Sequence, residues 1–141
     1  KDNETTENKE MAKKTLDTLK VPYIDYGCFV EQDCDYKDYV QEAVRAITDR
    51  TCDFGMSFCR TGQGVNMCAN KYSGIRSALI YDEFSAEMAV RHNCANMFAI
   101  PALLVENNKA FPSFLQTTVD KFIKNTFDGG RFQARVMDLE K

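Results

Sequence analysis

Short apolar runs alternate with amphipathic helical stretches along most of this chain, and that alternation admits few folds. Residues 8–20 place Ala12, Leu16 and Leu19 at helical spacing, and Pro22 closes the segment. "YIDYG", residues 23–27, predicts a short strand ending at Gly27. Residues 36–48 put Tyr36, Tyr39, Val40, Ala43, Val44 and Ile47 on one helical face, with Lys37, Asp38, Gln41, Glu42 and Arg45 on the other. Further strands are predicted at "DFGMSF" (53–58), "IRSALIY" (75–81) and "NMFAI" (96–100), the last stopped by Pro101. Helices are predicted over about 65–71, over 85–92 with Ser85 as N-cap, and over 112–125. The last carries Phe114, Leu115, Val119, Phe122 and Ile123 as its buried stripe. Gly129-Gly130 ends it, and a short charged tail with Val136 and Leu139 follows.

Strands that are short, apolar and separated by helices indicate a parallel sheet covered on both faces, an α/β fold. The helix at 8–20 has no strand before it. The alternation therefore predicts one more strand upstream of Lys1, and the lack of an initiator Met agrees with that expectation.

The 141 residues suit a single domain, 1–141, and the 44% hydrophobic content supports a core. A net charge of −3 gives no basic excess, so nucleic acid is not an expected partner. No apolar run is long enough to span a membrane, and "KDNETTENKE" has no apolar signal region. Cys28, Cys34, Cys52, Cys59, Cys68 and Cys94 are expected to be reduced thiols, because the chain is large enough to fold without disulfides. No Cys-x-x-Cys pair occurs and His92 is the only histidine, so no metal is expected.

"FCRTGQGVNMCANK", Phe58 to Lys71, carries the strongest chemical signal. Cys59 directly follows a predicted strand, at the sheet edge where such folds bind ligands. Gly62 and Gly64 let backbone N–H groups approach an anion, and the next helix points its N-terminus at the same spot. The stretch lacks the Gly-Lys-Ser/Thr of a phosphate loop, and Met67 stands where a dinucleotide fingerprint needs a third Gly or Ala. The glycines alone are equally compatible with a tight turn. A thiol near a helix N-terminus suits a base or nucleophile, whereas free cysteine is often a small buried hydrophobe. His92 reads as either a helix cap or a catalytic group. Helices of a doubly wound sheet run antiparallel to its strands, so His92 is expected at the opposite edge from Cys59. A site using both must be shared between two subunits.

The stretch "FCRTGQGVNMCANKYSGIRSALIYDEFSAEMAVRHNCAN" resembles the core of the type B ribose-5-phosphate isomerases, a family that also includes galactose-6-phosphate and allose-6-phosphate isomerases. Cys59, Thr61, Gly62, Gly64, Asn70, Lys71, Gly74, Arg76, His92, Asn93, Asn96, Gly129, Gly130, Arg131 and Arg135 stand in register with its motifs. "DYKDY", Asp35 to Tyr39, resembles the family's Asp-Tyr-Pro-Asp-Tyr. The likeness covers nearly the whole chain.

The resemblance implies a Rossmann-like three-layer α/β/α sandwich with a five-stranded parallel sheet, its first strand lying before Asp2. It implies a cytoplasmic homodimer or dimer of dimers, with the active site at the subunit interface. It implies interconversion of ribose 5-phosphate and ribulose 5-phosphate in the pentose phosphate pathway, without a cofactor. By the same resemblance Cys59 is the base between C1 and C2. Thr61, Asn93 and loop N–H groups from Gly62 to Gly64 stabilise the enediolate, and His92 helps open the sugar ring. Arg131 and Arg135 grip the phosphate, and Asp2 and Tyr36 meet sugar hydroxyls. A positioned base with fixed oxyanion donors needs no metal for this chemistry.

The chain departs from the family pattern at several positions. Arg60 replaces the first loop glycine, and Asn3 replaces a phosphate-binding histidine with Glu4 beside it. Leu103 stands where an arginine is common, Phe132 replaces a histidine, and Cys94 replaces an aspartate. Arg60 and Asn3 are expected near the phosphate. These changes favour one alternative, a diverged sugar-phosphate-binding homologue without catalysis; an isomerase for a six-carbon sugar phosphate is a second alternative.

Overall fold

The structure is a computed structural model that describes residues 2–27, 35–103, 115–116, 118–120, 122, 124 and 127–140, with side chains from residue 9 onward. Helix α1, Asp2–Thr18, begins six residues before its apolar periodicity does. No glycine or proline interrupts that polar start. The helix ends through a left-handed Lys20 (φ 59°), with Val21 N–H bonded back to Leu16 O at 2.9 Å. Helix α2, Tyr36–Thr48, is capped by Asp35, whose carboxylate accepts from Lys37 N–H. Strand β1 is Gly55–Cys59, helix α3 Gln63–Ala69, strand β2 Ser77–Leu79, helix α4 Glu83–Arg91, strand β3 Met97–Pro101 and helix α5 Arg131–Leu139.

The sheet order is β1-β3-β2, all parallel, with Cys59 opposite Pro101 and Gly55 opposite Met97. Side chains alternate along β3. Phe98 and Ile100 join Ala12, Ala86, Ala89, Val90 and Leu115 on one face. Met97 and Ala99 join Val40, Val44, Val65 and Ala69 on the other. Thus α1 and α4 cover one face and α2 and α3 the other. The chain moves outward past β3 through α3 and returns through α4, so right-handed crossovers require those two helices on opposite faces. The α/β/α sandwich expected from the alternation is present.

Several expectations change in detail. Asp82, not Ser85, is the N-cap of α4. Its backbone is extended and its carboxylate accepts from Ser85 N–H at 2.6 Å, while Ser85 Oγ accepts from Asp82 N–H in return. The charged tail after Gly130 is helix α5, held by the buried Val136. Of the helix expected over 112–125, residues 115, 116, 118–120 and 122 are described and helical, and Leu115 and Val119 of its expected stripe are buried. Cys28 and Cys34 lie outside the described residues, and Cys52, Cys59, Cys68 and Cys94 are free thiols. No described helix is long and apolar enough to cross a membrane.

Residues 23–27, expected as a strand, do not form one. A strand needs a hydrogen-bonded neighbour, and this segment has none among the described residues; it and β1 both line a cavity of about 650 Å³. Val21–Gly27 lines one side of the cavity, Gly55–Cys59 the other, and α1 and α2 supply its walls. Of the five strands expected, three are present among the described residues, and β1 pairs only with β3.

Asp25 anchors the Val21–Gly27 segment to α1. Its carboxylate lies 2.9 Å from Lys13 Nζ and 3.1 Å from Lys9 Nζ, and it accepts from Gly27 N–H at 2.9 Å. Burial alone would raise its pKa, but the Lys13 bond, the Gly27 N–H and Lys9 outweigh it and hold the carboxyl below its ordinary value. A depressed carboxylate contributes stability above the unfolded pKa of about 3.9, and the contribution is lost as pH falls through the folded value. Asp25→Asn is therefore expected to lower unfolding free energy by about 1–2 kcal/mol at neutral pH. Urea titrations should show that gap shrinking below about pH 4.

Candidate active site

The turn after β1 is built by close packing. Gly62 has φ 77°, and a Cβ there would sit 2.6 Å from Leu79 Cδ1 and 3.3 Å from the Pro101 nitrogen. Only glycine satisfies both the left-handed backbone and that approach. The turn is thereby pressed onto the carboxyl ends of β2 and β3. Gly64 starts α3 beside Tyr36, whose ring and hydroxyl would lie 3.1 Å from a Cβ at that position. Tyr36 is thus held against the loop by α2. Cys59, half-buried, ends β1 directly below this turn. Thr61 is exposed, with its Oγ1 accepting from Gln63 N–H at 3.3 Å. Arg60 is exposed and lines the cavity together with Cys59 and Tyr36. The structure therefore gathers Tyr36, Cys59, Arg60, Thr61, Gly62 and Gly64 at one sheet edge.

A second group forms at the other edge. His92 caps the C-terminus of α4, with its N–H bonded to Met88 O at 2.9 Å. It precedes the start of β3, whereas Cys59 pairs with the end of that strand. A five-residue strand spans about 13–17 Å, so the two side chains occupy opposite edges of the sheet. His92 stacks on Phe132 with ring centroids 4.1 Å apart and planes 11° from parallel. Arg131 and Arg135 both lie over the same Phe132 ring, at 4.9 and 5.7 Å from its centroid. Asn93 is exposed beside His92, before a left-handed Cys94 (φ 51°). The side chains of Asp2 and Asn3 lie outside the described residues.

Sequence reasoning missed one member of this second group. Asp128 Oδ2 lies 3.5 Å from His92 Nε2, and the same carboxylate grips Arg91 through two bonds of 3.1 and 3.2 Å. Asp128, and next Glu87, raise the Arg91 guanidinium above its ordinary pKa. The available signal was a lone acid directly before the Gly-Gly-Arg run.

Other residues of the shared motifs brace the scaffold. The Asn70 side chain closes a two-bond clasp with the Ser77 backbone, both bonds at 2.8 Å. Asn96 accepts from Arg76 N–H and donates to Gly74 O. Arg76 donates to Cys94 O and pairs with Glu140, the C-cap of α5. These contacts fix the loop before β2 against the loops that carry His92 and α5. Among the described residues, no group of three or more His, Cys, Asp or Glu side chains is placed to hold a metal ion.

Comparison with known proteins agrees with this arrangement. The ribose/galactose isomerase family matches residues 1–139. Ribose-5-P isomerase B of Listeria innocua is 31% identical over 126 residues, covering 89% of this chain and 82% of that protein. The crystal structure of a ribose 5-phosphate isomerase from Thermotoga maritima superposes with a TM-score of 0.85 at 34% identity, covering 96% of this chain and 90% of that one. The Mycoplasma genitalium ribose-5-phosphate isomerase B, solved with bound ribulose-5-phosphate, gives 0.84 at 29% identity over 97% and 88% of the two chains. With the thiol at the strand end, the glycine turn and a family match over residues 1–139, this chain belongs to the ribose/galactose isomerase family, as a sugar-phosphate isomerase of the type B ribose-5-phosphate isomerase kind.

Proposed function

We propose that the chain interconverts ribose 5-phosphate and ribulose 5-phosphate by proton transfer through an enediolate, a reaction of the pentose phosphate pathway, in the cytoplasm. The observation that carries this reading is Cys59 at the carboxyl end of β1 beneath the Gly62 turn, in a fold whose Mycoplasma neighbour holds ribulose-5-phosphate. Cys59 takes the C2 proton of the open-chain aldose. The electron pair moves into a C1–C2 double bond, and negative charge develops on O1. Thr61, Asn93 and turn N–H groups meet that charge; O1 takes up a proton as O2 gives one up, and the proton held by the thiol returns to C1 as the C2=O2 bond forms, giving the ketose. Arg131 and Arg135 hold the phosphate as cations, with Arg60 and Asn3 beside it, and Asp2 and Tyr36 meet hydroxyls.

Cys59 and His92 stand at opposite edges, so the reading requires a homodimer in which one protomer supplies the thiol and its partner supplies His92, Arg131 and Arg135. Exposed apolar residues support such a contact. Met67 of α3, Tyr81 after β2 and Phe84 of α4 surround the thiol edge, and Met137 and Leu139 extend α5 beside the His92 group. A dimer of dimers uses the same pairwise contact.

Competition separates substrate classes. Ribose 5-phosphate is expected to turn over, with allose 6-phosphate and galactose 6-phosphate acting only as weak inhibitors. Faster turnover of a six-carbon sugar would reassign the substrate. Binding of all three without turnover would identify a non-catalytic homologue.

A further inference from the structure

Asp128 is tied down at three points, and only one of them faces the site. Its N–H bonds Arg91 O at 2.8 Å, closing the C-terminus of α4. Its two carboxylate oxygens accept from Arg91 Nε and Nη2 at 3.2 and 3.1 Å, and Glu87 holds the same guanidinium at 2.8 Å. The Oδ2 that accepts from Arg91 Nη2 also lies 3.5 Å from His92 Nε2. A simple surface ion pair fixes little. Here the backbone bond and the two-pronged Arg91 grip hold the carboxylate in place before it meets the imidazole. Phe132 fixes the plane of the same ring from its face.

Resting on the isomerase reading above, we infer that Asp128 is the positioning residue for His92: it directs Nε2–H toward itself, leaves Nδ1 for the sugar, and thereby serves ring opening alone. Opening the furanose breaks the C1–O4 bond. The O1–H pair becomes the C1=O1 double bond, O4 takes a proton, and the O1 proton leaves to a base. Proton transfer between C1 and C2 is the separate task of Cys59 at the other edge. Ribulose 5-phosphate has its O5 esterified and forms no furanose, so its enolisation bypasses ring opening.

Two rates isolate the claim. In Asp128→Asn, turnover of ribose 5-phosphate is expected to fall about tenfold, while solvent deuterium enters C1 of ribulose 5-phosphate within about twofold of the wild-type rate. Asp128→Glu should restore most of the lost turnover. Because His92 is the only histidine, its ring nitrogens give an isolated ¹⁵N signal. The wild type should show the Nε2–H tautomer in excess, and Asp128→Asn should lose that bias. A parallel fall in both rates, or an unchanged tautomer ratio, would overturn the inference. Wild-type protein that neither turns over nor exchanges would sink the isomerase reading instead, and the tautomer signal would still decide the role of Asp128.

Discussion

Replacing Cys59 by Ala is expected to lower ribose 5-phosphate turnover by about 100- to 10,000-fold, the usual contribution of a positioned general base. KM should change little, because in the proposed mechanism the thiol meets the C2 proton and not the phosphate. The fold should persist. Cys59 lies at the end of β1 and is only half-buried, with its backbone held by β3 through the pairing with Pro101. Removing one sulfur there leaves the fully buried Phe98, Ile100 and Val65 untouched. Steady-state kinetics beside a thermal melt separates the two effects. Wild-type turnover in the variant would remove Cys59 from the chemistry.

Subunit mixing carries the second large effect. Cys59→Ala and His92→Ala homodimers should each be nearly inactive. After exchange, half of the dimers carry one chain of each kind. Each such dimer pairs one intact site with one doubly altered site, so activity should recover to about a quarter of wild type. Recovery follows only if the thiol and the imidazole of one site come from different chains. Their placement at opposite ends of β3 leads directly to that arrangement. Exchange demonstrated by mass labelling, with no recovered activity, would place each complete site within one chain.

Much of this was legible before any coordinates. The alternation of apolar runs and amphipathic helices gave the layered α/β order, because buried parallel strands such as Met97–Pro101 read as continuous apolar stretches. The polarity of that order separated His92 from Cys59. Local chemistry was harder to read. Ser85 has the right side chain for a cap, but Asp82 three residues earlier takes that role and leaves Ser85 as the reciprocal partner. Tyr23 to Gly27 has a strand's composition, yet a strand is a pairing relation, and no described strand pairs with this segment. The tail after Gly130 was too short and charged to stand out, and it folds as α5 through Val136 and the link from Arg76 to Glu140. Asp128 was invisible for another reason. Its partners Arg91 and His92 are more than thirty residues away, and only tertiary packing brings them together.

The departures at Arg60 and Phe132 also take on physical meaning. Arg60 is exposed and lines the cavity next to the Gly62 turn. Phe132 replaces a polar ring with one that stacks on His92 and carries both Arg131 and Arg135 on its surroundings.

The most direct test is the conversion of ribose 5-phosphate to ribulose 5-phosphate by the purified protein, followed by the appearance of the ketose. The account predicts turnover that reaches the same equilibrium from either sugar. Folded protein that binds ribose 5-phosphate and forms no ketose would contradict it.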